Sequence, residues 1–341
     1  MSRFPDVSTA GAAVPASIFA RLREHLAKFP GDVIPLQIGD THLAPAASLD
    51  QFAWAAHAPA DLYAYGNPAG WTPLVDAIAA KAQRQNRIPI TAAGVQVACG
   101  ATHALACSVQ ALCDPGDELI LLTPHWPLIR GMALGFGVVP VEVPFVMTMP
   151  AGELAAAIER AITPRTSAIY YASPNNPDGA MLDAAQLAAV AEVCVRHRLW
   201  VLADEVYEDY GYDAEHVSIA SLAGGTERTV TVFSFAKSYA QAGLRVGYAL
   251  APDPIAATLK KLVNHSVYNV PVAMQRAALG ALTAGAPFLA SARQSYRDAR
   301  DRARARLVAP VACPPGGSYL WVDFARWSGP ETERAGERRT G

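Results

Sequence analysis

Excess charge of either sign is missing from this chain. Its 341 residues carry 28 basic and 30 acidic side chains, a net of −2. That removes the electrostatic footing for nucleic acid or an anionic membrane surface. No apolar run is long enough to span a bilayer without charged or turn residues. Met1 to Ala20 lacks the continuous apolar core of a secretory signal. Cysteine is scarce: Cys99, Cys107, Cys113, Cys194 and Cys313 are odd in number and scattered. They show no metal-ligand spacing, so the expectation is reduced thiols, a cytoplasmic protein and no metal. A Gly-x-Gly-x-x-Gly turn after the first strand is absent, which argues against a dinucleotide-binding enzyme. No helix-turn-helix module and no internal repeat is found.

What is present is apolar material. Hydrophobic residues make up 52% of the chain, enough for a large domain and a smaller one and too much for global disorder. From about residue 94, short apolar runs alternate with amphipathic stretches. Strands are predicted at Val95–Cys99, Glu118–Leu122, Val138–Val143, Ser167–Ala172, Trp200–Ala203, Thr229–Phe233 and Val246–Leu250. Helices are predicted at Thr102–Cys113, Pro127–Gly135, Gly152–Ala161 and Asp183–Arg198. Continuous apolar strands are buried on both faces, and intervening helices imply parallel crossovers. The last two strands are joined by a loop, so one of them is a candidate for running antiparallel. The pattern then turns helical from Pro254 to about Ala309. Gly316 to Phe324 reads as a strand of another, smaller sheet. Beyond Ala325 the composition turns polar, and residues 326–341 are expected to be disordered.

The residues with chemical potential fall where strands end, which is where open parallel sheets collect ligands. Asn176 follows the strand ending at Ala172, Asp204 follows Ala203, and Ser234 and Lys237 follow Phe233. Tyr207 lies three residues after Asp204, and Arg245 eight after Lys237. Cys99-Gly-Ala101-Thr102 joins a strand to a helix N-terminus, where free N–H groups can hold a phosphate. A lysine, an aspartate, a tyrosine, an asparagine and an arginine in this arrangement suggest pyridoxal phosphate, bound as a Schiff base.

The motifs Ser173-Pro-Asn-Asn176-Pro-Asp-Gly179, Ala203-Asp204-Glu-Val-Tyr207 and Ser234-Phe-Ala-Lys237 through Arg245 resemble those of the class I/II aminotransferases. These belong to the aspartate aminotransferase superfamily, fold type I. The resemblance runs from about Leu36 to Phe324. It implies an α/β fold: a large domain with a mostly parallel, mixed seven-stranded sheet flanked by helices, and a smaller α+β domain built from both chain ends. The corresponding boundaries are 45–254 for the large domain, and 1–44 with 255–325 for the small one.

The resemblance also implies roles. Lys237 matches the Schiff-base lysine that moves a proton during the reaction. Asp204 matches the aspartate facing the pyridine nitrogen, while Tyr207 and Asn176 match donors to the cofactor's phenolic oxygen. Arg245, Ser234, the backbone N–H groups of Ala101 and Thr102, and the Thr102 hydroxyl match the phosphate cup. Trp126 matches the aromatic that stacks on the ring. Tyr65, in Tyr65-Gly-Asn-Pro-Ala-Gly70, matches a tyrosine that reaches the neighbouring subunit's phosphate, which implies a homodimer with shared sites. Gly39 matches a glycine whose backbone contacts the substrate carboxylate, a part in which Asn176 also shares.

The implied function is an aminotransferase that moves an amino group between an amino acid and a 2-oxo acid by a ping-pong reaction. Elimination, cyclisation or decarboxylation on the same scaffold are the alternatives, as is a cofactor-binding protein with impaired turnover. The family's small domain continues past the segment matching Tyr319–Phe324 and there carries an arginine for the substrate carboxylate. Arg326, Arg334, Arg338 and Arg339 do not stand in a matching context. A shortened reading frame, or a native short form using another basic residue, would each account for this, and impaired turnover is expected from the former.

Overall fold

The computed structural model describes residues 7–16, 22, 26–28, 31–32, 36, 39–45, 62, 64–309 and 311–323. The expected tail 326–341, its four arginines and Phe324 lie outside the described residues.

Seven strands form one sheet: β1 (Val95–Ala98), β2 (Glu118–Thr123), β3 (Val139–Pro144), β4 (Thr166–Ala172), β5 (Trp200–Asp204), β6 (Thr229–Ser234) and β7 (Gly247–Leu250). Their order is β1-β7-β6-β5-β4-β2-β3. The pairs from β3 through β6 are all parallel. β7 runs antiparallel to both its neighbours, β1 and β6. All residues of β1 and β7 are buried, as are nearly all of β2, β5 and β6. This explains their uninterrupted apolar sequences: helices cover both faces, so no polar alternation is required.

Local signals set the helix ends. The helix Ala184–His197 starts at a capping box in which the Asp183 carboxylate accepts from the Gln186 N–H at 2.8 Å and Gln186 Oε1 accepts from the Asp183 N–H at 2.9 Å. The helix after β1 runs over Gly100–Leu112, beginning two residues before the expected Thr102. Ala101 and Thr102 therefore sit in its first turn. The helical stretch after β7 resolves into Asp253–Val267, Val272–Ala284 and Ala286–Arg306.

The expected strand at Gly316–Phe324 is not formed among the described residues. Only isolated bridges occur, Gly211 with Gly316 and Val311 with Val322. The backbone and side-chain groups here find partners elsewhere. The Gly317 N–H donates to Tyr210 O at 2.9 Å, the Tyr212 N–H to Pro315 O at 2.7 Å, and the Tyr212 hydroxyl to Gly317 O at 2.6 Å. Gly317 adopts a left-handed φ of 73°, which breaks strand geometry at that point.

The N-terminal residues divide between two neighbours. Val14 and Pro15, just after the short helix Thr9–Ala13, lie against Gly135 and Gly131 of the helix Pro127–Gly135. His42, by contrast, packs edge-on against Tyr296, with ring centroids 5.4 Å apart. Leu43 joins a cluster of Tyr207, Tyr210, Tyr212 and Ala292 that Tyr319 also covers.

Candidate active site

The strand polarities alone place most of the candidates on one edge. β1, β4, β5 and β6 all end there, and β7 begins there, because Ala98 and Ser234 both pair with Gly247. The antiparallel β7 is what carries Arg245, two residues before its start, to the edge where the parallel strands finish. Had β7 been parallel, Arg245 would lie at the opposite end of the sheet.

Lys237 sits in the one-turn helix Phe235–Ser238, entered through Ser234, whose hydroxyl accepts the Ala236 N–H at 3.0 Å. The Tyr210 hydroxyl fixes the turn by donating to Lys237 O at 2.7 Å. The side chain is half-buried and its Nζ donates to the carbonyl of Gly39. The ammonium lies 5.8 Å from the centre of the Tyr207 ring. Burial pushes the Lys237 amine below its ordinary range; Asp40 opposes this and Arg245 adds to it. A half-buried lysine with a depressed pKa is the form of this residue suited to act as a nucleophile and base.

Asp204 ends β5 and is 5% exposed. Its carboxylate accepts from the Tyr170 hydroxyl at 3.0 Å and from the Val206 N–H at 3.4 Å. Among the described residues no lysine, arginine or histidine pairs with it. Burial pushes its pKa up to about 6, against the two hydrogen bonds, which lower it. A buried carboxylate held only by neutral donors is costly unless a cation arrives to meet it. Tyr170 escaped the sequence reading. The signal is the β4–β5 register, which pairs Tyr170 with Leu202 and so puts it diagonally beside Asp204 on one face.

Tyr207 is 3% exposed. Its hydroxyl is 2.8 Å from that of Tyr319, which also accepts from Asn176 Nδ2 at 3.0 Å. Burial, then the Tyr319 phenol, hold Tyr207 well above the ordinary tyrosine range. The neighbouring Asn175 is buried and structural, donating to Pro124 O and to Asp178 Oδ1, each at 2.8 Å. Asn176 is thus the asparagine that shares the Tyr319 hydroxyl with Tyr207. Tyr319 is the second residue that sequence reasoning missed: it is 112 positions from Tyr207, and no motif ties the two together.

The helix Gly100–Leu112 has no side-chain cap, leaving its first N–H groups for another acceptor. The Arg245 guanidinium lies directly over Gly100, so closely that a Cβ there would collide with it. Gly100 also has φ 76°. On the other side a Cβ at Gly247 would come within 2.6 Å of the Ala101 nitrogen. Two glycines thus let an arginine and a helix N-terminus approach one another. Thr102 is exposed, and Arg245 is exposed in a left-handed conformation.

Trp126 caps the helix Pro127–Gly135 just beyond β2 and packs, partly buried, on the core. Tyr65 stands apart from the strand-end cluster. It is 84% exposed and pairs with Tyr268, ring centroids 4.6 Å apart. A cleft of about 530 Å³ lined by Asn86, Glu208, Asp209 and His216 includes none of the strand-end candidates. Among the described residues no group of His, Cys, Asp and Glu could hold a metal ion, and no helix is long and apolar enough to cross a membrane.

The chain is similar to known proteins in sequence and in fold. The family described as aminotransferase class I and II matches residues 31–333. A probable aspartate/prephenate aminotransferase of Thermus aquaticus is 36% identical over 280 residues, covering 80% of this chain and 72% of the relative. An arginine–pyruvate transaminase of Pseudomonas aeruginosa is 36% identical over 302 residues, covering 86% and 75%. Among solved structures, Thermus thermophilus aspartate aminotransferase with maleate superposes with a TM-score of 0.87 at 30% identity, over 98% of this chain and 89% of that one. N-succinyldiaminopimelate aminotransferase from Mycobacterium tuberculosis gives 0.85 at 29%, over 96% and 86%.

Proposed function

Because the chain belongs to the class I and II aminotransferase family, and is therefore a pyridoxal-phosphate-dependent enzyme acting on amino and 2-oxo acids, we propose that its active site is the strand-end cluster around Lys237 and Asp204. The observation that carries this assignment is Asp204: a buried carboxylate without a cationic partner among the described residues, on the same sheet edge as a half-buried lysine. A protonated pyridine nitrogen is the cation that such a carboxylate lacks. The glycine-lined approach of Arg245 to the uncapped helix at Gly100 fits a phosphate equally well.

When bound, pyridoxal phosphate supplies an aldehyde that condenses with amines and a ring that accepts electrons from the substrate Cα. The protein's residues do the rest. Lys237 Nζ, its pKa lowered by burial, would hold the cofactor and is placed to carry a proton at the substrate Cα. Asp204, oriented by Tyr170, would keep the ring nitrogen protonated. Tyr207 and Asn176 would donate to the phenolic oxygen. Arg245, Ser234, the Ala101 and Thr102 N–H groups and the Thr102 hydroxyl would bind the phosphate. Trp126 would cover the ring. The Gly39 backbone, with Asn176, receives the substrate carboxylate.

Three further parts belong to the same reading. Tyr65, exposed beside Tyr268, reaches a partner's phosphate in a homodimer. The chain divides into a large domain at 45–254 and a small one formed by 1–44 with 255–325, supported by the packing of His42 on Tyr296. A cytoplasmic location is supported by five free cysteines.

The test is spectroscopic. Pyridoxal phosphate added to the purified chain should give a visible band that Lys237→Ala removes. Amino acids such as aspartate or arginine, tried as donors, should then bleach the band and release their 2-oxo acids. A band unchanged in Lys237→Ala would overturn the lysine assignment. Bleaching without release of a matching oxo acid would overturn transamination at this site.

A further inference from the structure

Tyr319 touches three of the residues assigned above. Its hydroxyl is 2.8 Å from the Tyr207 hydroxyl and accepts from Asn176 Nδ2 at 3.0 Å. It also presses on Gly39 so closely that no Cβ fits there, and the Gly39 carbonyl in turn holds Lys237 Nζ. The ring meets Tyr207 edge-on, centroids 5.7 Å apart. A phenol oxygen has two lone pairs and one hydrogen. Tyr319 thus presents to Tyr207 and Asn176 the same functional group, an oxygen on an aromatic ring, that the cofactor presents. Tyr207 and Asn176 cannot serve both.

We propose that Tyr319 is an internal competitor for the cofactor, its phenol occupying the place of the cofactor's phenolic oxygen until the arm that carries it withdraws. The inference rests on the assignment of Tyr207 and Asn176 to that oxygen. The arm is built to move. Its anchor is the stretch 314–317, held by Arg300 Nη1 to Pro314 O at 2.9 Å, by Tyr212 to Pro315 and Gly317, and by Gly317 to Tyr210. Beyond the anchor, residues 318–323 belong to no sheet, and Val322 forms only an isolated bridge with Val311. Ser318 is exposed and Trp321 is 50% exposed. The arm swings about the glycine pair Gly316-Gly317, where Gly317 has φ 73°. Strand-borne Asp204 has no such freedom.

A protein whose binding-competent form is only fractionally populated shows an affinity reduced by that fraction. Removing the Tyr319 hydroxyl should therefore tighten cofactor binding. Two hydrogen bonds of ordinary strength correspond to a gain of about 5- to 150-fold. The experiment is cofactor titration of the full chain, followed by tryptophan fluorescence and by equilibrium dialysis, for wild type and Tyr319→Phe. The expected result is a lower Kd in Tyr319→Phe. Its association rate should keep rising with cofactor where the wild-type rate levels off. An unchanged or weaker affinity overturns the proposal.

Tyr207→Phe placed on Tyr319→Phe separates the two assumptions. If it weakens binding, Tyr207 serves the cofactor, and the single-variant result judges Tyr319 alone. If it does not, the assignment of Tyr207 fails and the competition fails with it. Hydrogen exchange of wild type needs no variant. Cofactor should accelerate exchange in residues 318–323; protection there overturns the withdrawal of the arm.

Discussion

The strand ends and the stretch 311–323 meet at one point, the Tyr207–Tyr319 contact, yet they are built by opposite means. Asp204 belongs to a strand paired on both sides and is buried. Tyr207 and Lys237 follow such strands within three residues, so their backbone positions inherit the rigidity of the sheet. Tyr319 is carried by a segment with isolated bridges and a handful of hydrogen bonds. Chemistry that needs fixed geometry is placed on the first kind of support. The second kind opens at low free energy and suits a part that must yield.

The hardest blow to the rigid side is Lys237→Ala. Loss of the covalent anchor and proton carrier should lower transamination by about 10⁴-fold or more, with the thermal midpoint little changed; steady-state kinetics and calorimetry check both. Asp204→Asn comes next, with a loss of roughly 10²-fold or more in turnover, since a neutral amide cannot hold the ring nitrogen's proton as a carboxylate does.

Asp204 also sets a pH dependence. Its pKa rises from an ordinary 3.8 to about 6 in the folded protein without cofactor. The folded state therefore binds the proton more tightly than the unfolded chain. This contribution to stability is fully present below pH 3.8 and is lost as pH rises through 6. That rise in pKa amounts to roughly 3 kcal/mol. Thermal melts of the cofactor-free chain should thus show wild type losing more stability between pH 4 and 7 than Asp204→Asn. Parallel curves would refute the buried-carboxylate account.

Two glycine substitutions sharpen the contrast between the regions. Gly247→Ala drives a Cβ into the Ala101 backbone, where neither strand nor helix can give way. A destabilisation of about 1–3 kcal/mol is expected, together with weaker phosphate retention, read by denaturant melts and cofactor dialysis. Gly317→Ala meets only ordinary contacts, the nearest at 3.5 Å, but forces φ 73° on a residue with a side chain. It should cost only about 1 kcal/mol and, by loosening the anchor of the arm, should speed cofactor association. Smallest of all, Tyr65→Phe should lower cofactor affinity by about 10-fold or less, and only at concentrations where the chain is dimeric, which sedimentation run alongside dialysis would reveal.

Most of the sheet was readable because strands buried on both faces write themselves as apolar runs. The boundaries of β2, β4, β5 and β6 fall within a residue of expectation for that reason. Lys237, Asp204, Tyr207 and Asn176 were readable because they lie in short motifs that follow those runs. The stretch from Gly316 misled because its aromatic and β-branched residues have strand propensity, while its glycines, the acceptor offered by Tyr210 and the donors offered by Tyr212 set the backbone of 315–317 otherwise. Tyr170 was hidden because its role depends on strand register rather than on sequence distance.

The sequence by itself determined the family, the strand-and-helix alternation and the residue types that gather at strand ends, since each is a local pattern of burial or of motif spacing. Only the tertiary structure decided that β7 inserts antiparallel between β1 and β6 and so brings Arg245 to Gly100. It alone set Tyr170 under Asp204 and Tyr319 against Tyr207. These are contacts between residues far apart in the chain. Sheet order, register and the path of a loosely anchored arm fix them, and no local propensity encodes any of the three.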